Sequence, residues 1–550
     1  MVYPGGPSKG CYTCRARKVK CDETKPVCNR CAKGNRSCGG YRVLPSSKTA
    51  NKRSEQSQKR STRPSSMQED QKDPMTTRLA SLSETPAAIL SQCPLQSQNE
   101  PEASLYAAFY SQIIRLPQVQ SLHGGFLTTL PSILADLKHP STSPLPPAFT
   151  ALLLTFVPEK RDTKNRCVPT EAMGCYGKAL QLTRQVVEER DEQRATEVIM
   201  TIFVLGMYED FTCEDHTKFT SNLHLEGAMA FVRTQRCKNF ADGTNRKIYS
   251  ALVARTLFTC FDNTSMKGNA PFIFTIDELH ALHAAISEDE GADVLILYTC
   301  TLLIIHQQLG QVEKEVWPPF PYGEPFLAPA TKANAILKTI ASIENQISEW
   351  PNSLPPECKY ITIQLPLEDT VDGLSTDAHI YPTFSAADDW SRYRTLRILI
   401  HILRLRAFRL LEDSIYTYNH AGGGYKVAQL ASLASDIAAT HSEIRALTYD
   451  ICTSMPYHIG YRTSAGAEQC YPSEAFPNGK YARLMSACQV AWPLYVAGIV
   501  EGVDVAQRLW VSRQLDFINS EMGIGKAAVL AELVRRAAAF EVQNITRSLF

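Results

Sequence analysis

Six cysteines fall within the first 38 residues, at Cys11, Cys14, Cys21, Cys28, Cys31 and Cys38. Their spacing is C-x2-C-x6-C-x6-C-x2-C-x6-C, so one C-x2-C-x6-C half occurs twice. A CxxC pair turns the chain so that both sulfurs point at one ion, and the third thiol follows across a short helix. Thiolate suits zinc, which takes four tetrahedral ligands. Two zinc ions call for eight Zn–S bonds, and six thiolates supply them if two sulfurs bridge both metals. The internal symmetry makes the first thiols of the two halves, Cys11 and Cys28, the natural bridges. With every zinc position filled by sulfur, the metal is structural and not catalytic. A disulfide knot and a thiol buffer are the competing readings. Basic, symmetric surroundings and an N-terminus, MVYPGGPSKG, without an apolar signal core argue for metal.

Charge separates this segment from the rest. The whole chain has 57 Lys+Arg against 56 Asp+Glu, a net +1. Met1 to Ser66 alone carry 16 basic and 3 acidic residues, a net +13, which leaves the remainder at −12. A small basic head on a mildly acidic body reads as a polyanion-binding module joined to a larger partner with another task.

The segment GCYTCRARKVKCDETKPVCNRCAKGNRSCGGY resembles the fungal Zn2Cys6 binuclear-cluster transcription factors over roughly residues 10 to 41. The likeness includes the basic run RARKVK before the third thiol and the Lys25-Pro26 step before the fourth. Where members with the CxGY ending often carry a Trp shortly afterwards, this chain reads GGYRVLPSS. The resemblance implies a short helix in each half, the first presented to the DNA major groove and running here from about Cys14 to Lys20. It implies CGG-like half-sites, with Lys18 the first choice for a base contact and Arg17 next, because guanine O6 and N7 accept paired hydrogen bonds. Arg15, Lys20 and Lys25, with Arg30 and Lys33, then contact phosphates or stay solvated. Pro26 fixes the loop between the halves.

Three zones position these residues. The cysteine-rich head occupies 1–41. Residues 42–103 are rich in Ser, Gln, Thr, Lys and Pro and have no aromatic side chain, so they are expected to form a disordered linker. Within it, Lys52-Arg53 and Lys59-Arg60, with Arg63, either form a bipartite nuclear-import signal or add nonspecific attraction to DNA. Sustained heptads are missing there, and Pro45, Pro64, Pro74, Pro86 and Pro94 interrupt it. A coiled-coil homodimer is therefore not indicated; either the chain binds DNA as a monomer or the body pairs it.

Residues 104–550 predict an all-α body. Helical periodicity runs through Thr170–Glu189, Arg194–Glu209, Leu223–Gln235 and Ala527–Gln543. In Asp389–Glu412, Leu396, Leu399, Ile400, Leu403 and Leu410 line one face, while Arg392, Arg397, Arg404 and Arg406 lie mostly off it and read as a solvated face. Pro-rich breaks at Trp317–Pro329 and Pro351–Pro366 separate the helical groups. Membrane association is not expected: the best apolar run, Val294 to Ile305, has 12 residues, short of the ~18 needed for a span. Ala172–Ile202, MYEDF at Met207–Phe211, HLEGAMAFVRTQR at His224–Arg236 and AWPLYVAG at Ala491–Gly498 resemble the fungal-specific transcription factor domain. That resemblance implies a helical regulatory domain, often found in regulators of secondary-metabolite or catabolic genes.

Other candidate motifs are incomplete. Gly523-Ile524-Gly525-Lys526-Ala527 departs from a phosphate loop, with Ser520 and Ala527 at two required positions, so a helix cap or turn is expected. Ser464 lacks the upstream glycine of a nucleophile elbow. His216 and His224 read as helix-face or capping residues, and the eleven dispersed cysteines from Cys93 to Cys488 mostly as small buried hydrophobes. The sequence thus points to a nuclear, zinc-dependent, sequence-specific DNA-binding regulator without an intact catalytic motif, acting at RNA polymerase II promoters through the transcription machinery or co-regulators. The alternatives are a repressor or catabolic-pathway regulator and, least supported, an enzyme tethered to DNA by the head.

Overall fold

In the computed structural model the described residues are 14, 19–22, 24, 28–34, 129–155, 170–189, 192–212, 220–234, 248–249, 251–257, 274–287, 294–316, 327–364, 376–420, 427–459, 461–462, 468–469 and 480–549. The chain divides into two compact units, Met1–Ser81 and Leu82–Phe550. The described part of the first holds one short helix, α1 (Asn29–Lys33). The second is built from helices: α2 (Leu130–Ala135), α3 (Leu145–Thr155), α4 (Thr170–Glu189), α5 (Ala195–Thr212), α6 (Thr220–Thr234), α7 (Ile276–Ser287), α8 (Val294–Val316), α9 (Leu327–Ser348), α10 (Trp350–Ser353), α11 (Phe384–His420), α12 (Val427–Thr453), α13 (Met455–Ile459), α14 (Lys480–Ile499), α15 (Val505–Met522) and α16 (Gly525–Leu549). Two small antiparallel sheets interrupt them. β1 (Ile361–Gln364) pairs with β2 (Asp377–Ile380) in the register Ile361↔Ile380, and β3 (Tyr461–Arg462) with β4 (Glu468–Gln469) in the register Tyr461↔Gln469.

The all-α expectation holds, and helix composition explains the layout. On α4, Ala172, Ala179 and Val186 recur every seven residues and are buried, making the seam that meets α3. The run VIMTIFVLGMY makes α5 apolar all round, and α5 lies among α3, α4, α6 and α16. A helix without a polar stripe is stable in water only when neighbours cover it on every side. In the C-terminal half, α11 is the axis, touching α8, α9, α12 and α14. Its residues Leu396, Leu399, Ile400, Leu403 and Leu410 are all buried, as the periodicity predicts.

The basic side of α11 is not solvated. Arg392 is buried and pairs with Asp388 and Asp389, and Arg394 is 1% exposed. Arg397 and Arg404 share Glu344 of α9, Arg406 pairs with Glu313 of α8 at 2.7 Å, and Arg409 pairs with Glu501. The expectation of a water-facing stripe fails because helices pack around most of α11: Arg397, Arg404, Arg406 and Arg409 meet acids distant in sequence, while Arg392 meets acids one turn away on α11 itself. Helix α8 also departs from the sequence reading. By length and composition, Val294–Glu315 is long and apolar enough to cross a membrane, with a mean hydropathy of 1.2 over an 18-residue stretch within it. Leu295, Leu302, Leu303 and Leu309 are nevertheless packed into the core, and Glu313 is engaged by Arg406.

Helices α14, α15 and α16 pack mutually, and one glycine permits the close approach. A Cβ on Gly498 would lie 2.8 Å from both Val534 γ-methyls and 2.9 Å from Val511 Cγ1. Arg508 closes the end of α14, donating from Nη1 to the Gly498 carbonyl at 2.6 Å and from Nη2 to the Val500 carbonyl at 2.8 Å. Gly498→Ala is expected to destabilise the body by about 1–3 kcal/mol, because the branched valines cannot withdraw from a filled core. Gly174→Ala on α4, where nothing lies within 4 Å, is the control. It is expected to stabilise by about 0.5–1 kcal/mol through lower chain entropy in the unfolded state. Chemical denaturation of the two variants checks this, and equal effects would refute the packing argument.

Candidate metal centre and nucleic-acid interface

Cys14, Cys28 and Cys31 form a small buried cluster against which Val19 and Cys21 pack. Their Sγ atoms all lie within 4.8 Å of one another. Cys14 Sγ is 3.7 Å from Cys28 Sγ and 3.9 Å from Cys31 Sγ. Zn–S bonds of about 2.3 Å at tetrahedral angles put neighbouring sulfurs about 3.8 Å apart, so these thiols stand at the edge lengths of a zinc tetrahedron. Cys28 also belongs to a second group with Cys21 and Asp22. Cys28 is the thiol common to both groups. Cys11 and Cys38 lie outside the described residues.

Local structure follows from the CxxC turn. Cys28 precedes α1 in an extended conformation, and its Sγ accepts the Cys31 N–H at 3.3 Å. The first half closes similarly, with the Val19 N–H donating to the Cys14 carbonyl at 3.0 Å. Asp22 is a residue that the spacing argument passed over. Its Oδ2 accepts the Thr24 hydroxyl at 2.6 Å and the Asn29 N–H at 2.9 Å, and its Oδ1 accepts the Arg30 N–H at 3.1 Å. The Thr24 hydroxyl first, then these backbone donors, hold the exposed carboxyl well below the usual carboxylate range. The available signal was an acid, rare in this head, lying between the two halves.

Of the five side chains expected to face DNA, Lys20 is described and exposed. Arg15, Arg17, Lys18 and Lys25 lie outside the described residues. Arg30 and Lys33 are exposed on α1, but Arg30 is not merely solvated: its Nη1 donates to the Lys20 carbonyl at 3.1 Å. The basic clusters at Lys52-Arg53, Lys59-Arg60 and Arg63 also lie outside the described residues, as do His216 and Ser464.

Other sequence candidates find structural roles. Gly523 is the left-handed cap that ends α15, with φ 73°, and Lys526 reaches Asp210 at 3.4 Å, so this segment is a helix junction as expected. His224 lies on α6 and places Nε2 2.9 Å from Glu209 of the MYEDF segment, which also accepts the Tyr176 hydroxyl at 2.5 Å. Cys300 and Cys452 are buried, and burial pushes both thiols up to about 12. A polar cluster in the body was not foreseen. Buried Arg394 donates to the Tyr381 hydroxyl at 2.5 Å and to His379 Nδ1 at 3.2 Å, with its guanidinium over the Tyr360 and Trp390 rings.

The class of the head follows from this thiol geometry and from its match with a known domain family. Residues 9–48 match the fungal Zn(2)-Cys(6) binuclear cluster domain, so the chain carries that domain at its N-terminus. Such a domain binds two zinc ions, and the sulfur separations fit them.

Among curated proteins, the transcriptional regulatory protein moc3 of Schizosaccharomyces pombe is 66% identical over 32 residues, 6% of this chain and 6% of that protein. The arginine metabolism regulation protein II of Saccharomyces cerevisiae is 62% identical over 34 residues, 6% of this chain and 4% of its own length. The aspercryptin biosynthesis cluster-specific transcription regulator atnN of Emericella nidulans is 52% identical over 40 residues, 7% of each chain. Each of these matches therefore spans less than a tenth of the relative concerned. No solved structure matches the chain.

Proposed function

We propose that the protein is a nuclear, sequence-specific DNA-binding regulator of transcription at RNA polymerase II promoters. The observation that carries this reading is the buried thiol cluster at zinc-tetrahedron spacing inside a head, 1–41, with 9 Lys+Arg against 2 Asp+Glu, a net +7. All six cysteines, Cys11, Cys14, Cys21, Cys28, Cys31 and Cys38, are assigned as ligands of two zinc ions, with Cys11 and Cys28 bridging. Zinc supplies rigidity here: it holds two short segments whose buried cluster, among the described residues, consists of the thiols themselves. Lys18 and Arg17 then read guanine in CGG-like triplets, while Arg15, Lys20 and Lys25 contact phosphates. The head is assigned to 1–41, the linker to 42–103, and the helical body at 104–550 to a regulatory role of the fungal-specific transcription factor type. That role is recruitment of the transcription machinery or co-regulators. The relatives' printed names, which include a biosynthetic-cluster regulator and an arginine-metabolism regulator, support control of either a secondary-metabolite cluster or a catabolic pathway.

Genome-wide occupancy of the tagged protein, compared with Lys18→Ala, tests this assignment. Peaks centred on CGG-type triplets are expected, weakened in the variant by about 1–3 kcal/mol per lost base contact, or about 5- to 150-fold in affinity. Triplet spacing beneath the peaks then reports monomer or dimer. Broad occupancy indifferent to Lys18 would reduce the head to a basic tether.

A further inference from the structure

We propose that Asp22 and Arg30 are a positioning pair that locks the two metal-binding halves of the head in register, so that retention of zinc depends on them. The proposal rests on the reading of the head as a zinc-held DNA-binding module. Cys21 is the last thiol of the first half and Cys28 the first thiol of the second, and residues 22–27 span the gap between them. Both oxygens of Asp22 are committed across that gap: Oδ1 to the Arg30 N–H at 3.1 Å, and Oδ2 to the Asn29 N–H at 2.9 Å. Arg30 returns the connection, its Nη1 donating to the Lys20 carbonyl at 3.1 Å. Thr24 braces the interior of the loop, donating to Asp22 at 2.6 Å and accepting from Asn29 Nδ2 at 3.1 Å.

The bonds therefore close a ring. One side is formed by Lys20 and Asp22, the two neighbours of Cys21; the other by Asn29 and Arg30, the two residues directly after Cys28. A carboxylate oxygen of Asp22 lies within 4.8 Å of the sulfurs of both Cys21 and Cys28, so the ring stands beside the thiols whose separation it sets. Each bond is exposed and weak alone. Together they fix the relative placement of two ligands before metal arrives, which is how groups outside the ligand shell raise metal affinity. A carboxylate present only for solubility would not engage main-chain donors with both oxygens.

The test is chelator competition on the full-length protein, with zinc release read by a metallochromic dye. Asp22→Ala is expected to weaken zinc retention by about 10- to 100-fold. Asp22→Asn keeps one oxygen acceptor and is expected to fall between that variant and wild type. Because the ring acts as a unit, combining Asp22→Ala with Arg30→Met should cost no more than the worse single change. Unchanged zinc retention in Asp22→Ala, or single effects that simply add, would overturn the proposal. If Asp22→Ala cannot be obtained folded, Arg30→Met leaves every Asp22 bond in place. Several-fold easier zinc loss then supports the clamp, and unchanged retention overturns it. DNA binding is measured on the same proteins in excess zinc. A wild type with no preference for a CGG-type site would defeat the functional reading, while the zinc measurement still judges the clamp.

Discussion

Cys28→Ala is expected to strip both zinc ions from the protein, not one. Cys28 is buried, shares a thiol cluster with Cys14 and Cys31, and belongs to the second group with Cys21 and Asp22. With Cys28 bridging as proposed, its removal leaves each tetrahedron one ligand short. The small head cannot compensate, because among its described residues the buried hydrophobic set consists of the thiols themselves. Zinc content should fall from two ions per chain toward none. Affinity for a specific DNA site should drop to the nonspecific level, on the order of 10³-fold or more. Cys358→Ala, at a half-buried position in the other unit, is expected to keep both metals. Elemental analysis with a DNA-binding titration checks this. Retention of one zinc in Cys28→Ala would show that Cys28 serves a single metal and would return the bridging role to another thiol.

Mild acid is expected to unfold the helical body. Three histidines are buried and a fourth, His306, is half-buried, each close to an arginine: His306 beside Arg406, His379 and His458 near Arg394, and His401 near Arg397. Burial first, and the guanidinium charge second, lower their pKa from 6.5 to about 3 for His306, His379 and His458 and about 4 for His401. His401 also lies 3.6 Å from Glu344, but Arg397 and Arg404 already claim that carboxylate, so desolvation wins. A lowered folded pKa means that the unfolded chain binds more protons below pH 6.5. Stability is therefore fully present above pH 6.5 and is lost as pH falls from there toward 3–4. Each histidine contributes a slope approaching about 1.4 kcal/mol per pH unit in that window. Together they amount to several kcal/mol by pH 5, a large part of the about 5–15 kcal/mol of a typical domain. Urea denaturation of the full chain between pH 7.5 and pH 5 measures the slope. His458→Gln should flatten it by about a quarter, one histidine of four. A stability that stays level across this range would mean that these rings are not held neutral in the fold.

How much of this was legible beforehand differs by residue. Thr170–Glu189 was readable as a helix to its ends, because a buried seam every seven residues is a local pattern. The GIGKA segment was readable as a cap, because glycine alone adopts the left-handed turn freely. The arginines of α11 were misjudged because periodicity tells which residues leave the apolar face and not what meets them there. Glu344 and Glu313 come from helices 53 to 93 residues away in the chain. Asp22 was overlooked because the partners that tie it to the second half, the Asn29 and Arg30 N–H groups, belong to the backbone, which carries no signature in the side-chain alphabet.

The sequence by itself determined the metal chemistry of the head, since ligand type and spacing are covalent properties of a short stretch and zinc accepts few alternatives. It also determined the helical class of the body, because amphipathic period is written residue by residue. Tertiary structure alone decided which acid neutralises which arginine, which histidines are kept from water, and that Gly498 must lack a side chain. Those outcomes depend on contacts between segments far apart in the chain, whose energies are set by burial and mutual geometry.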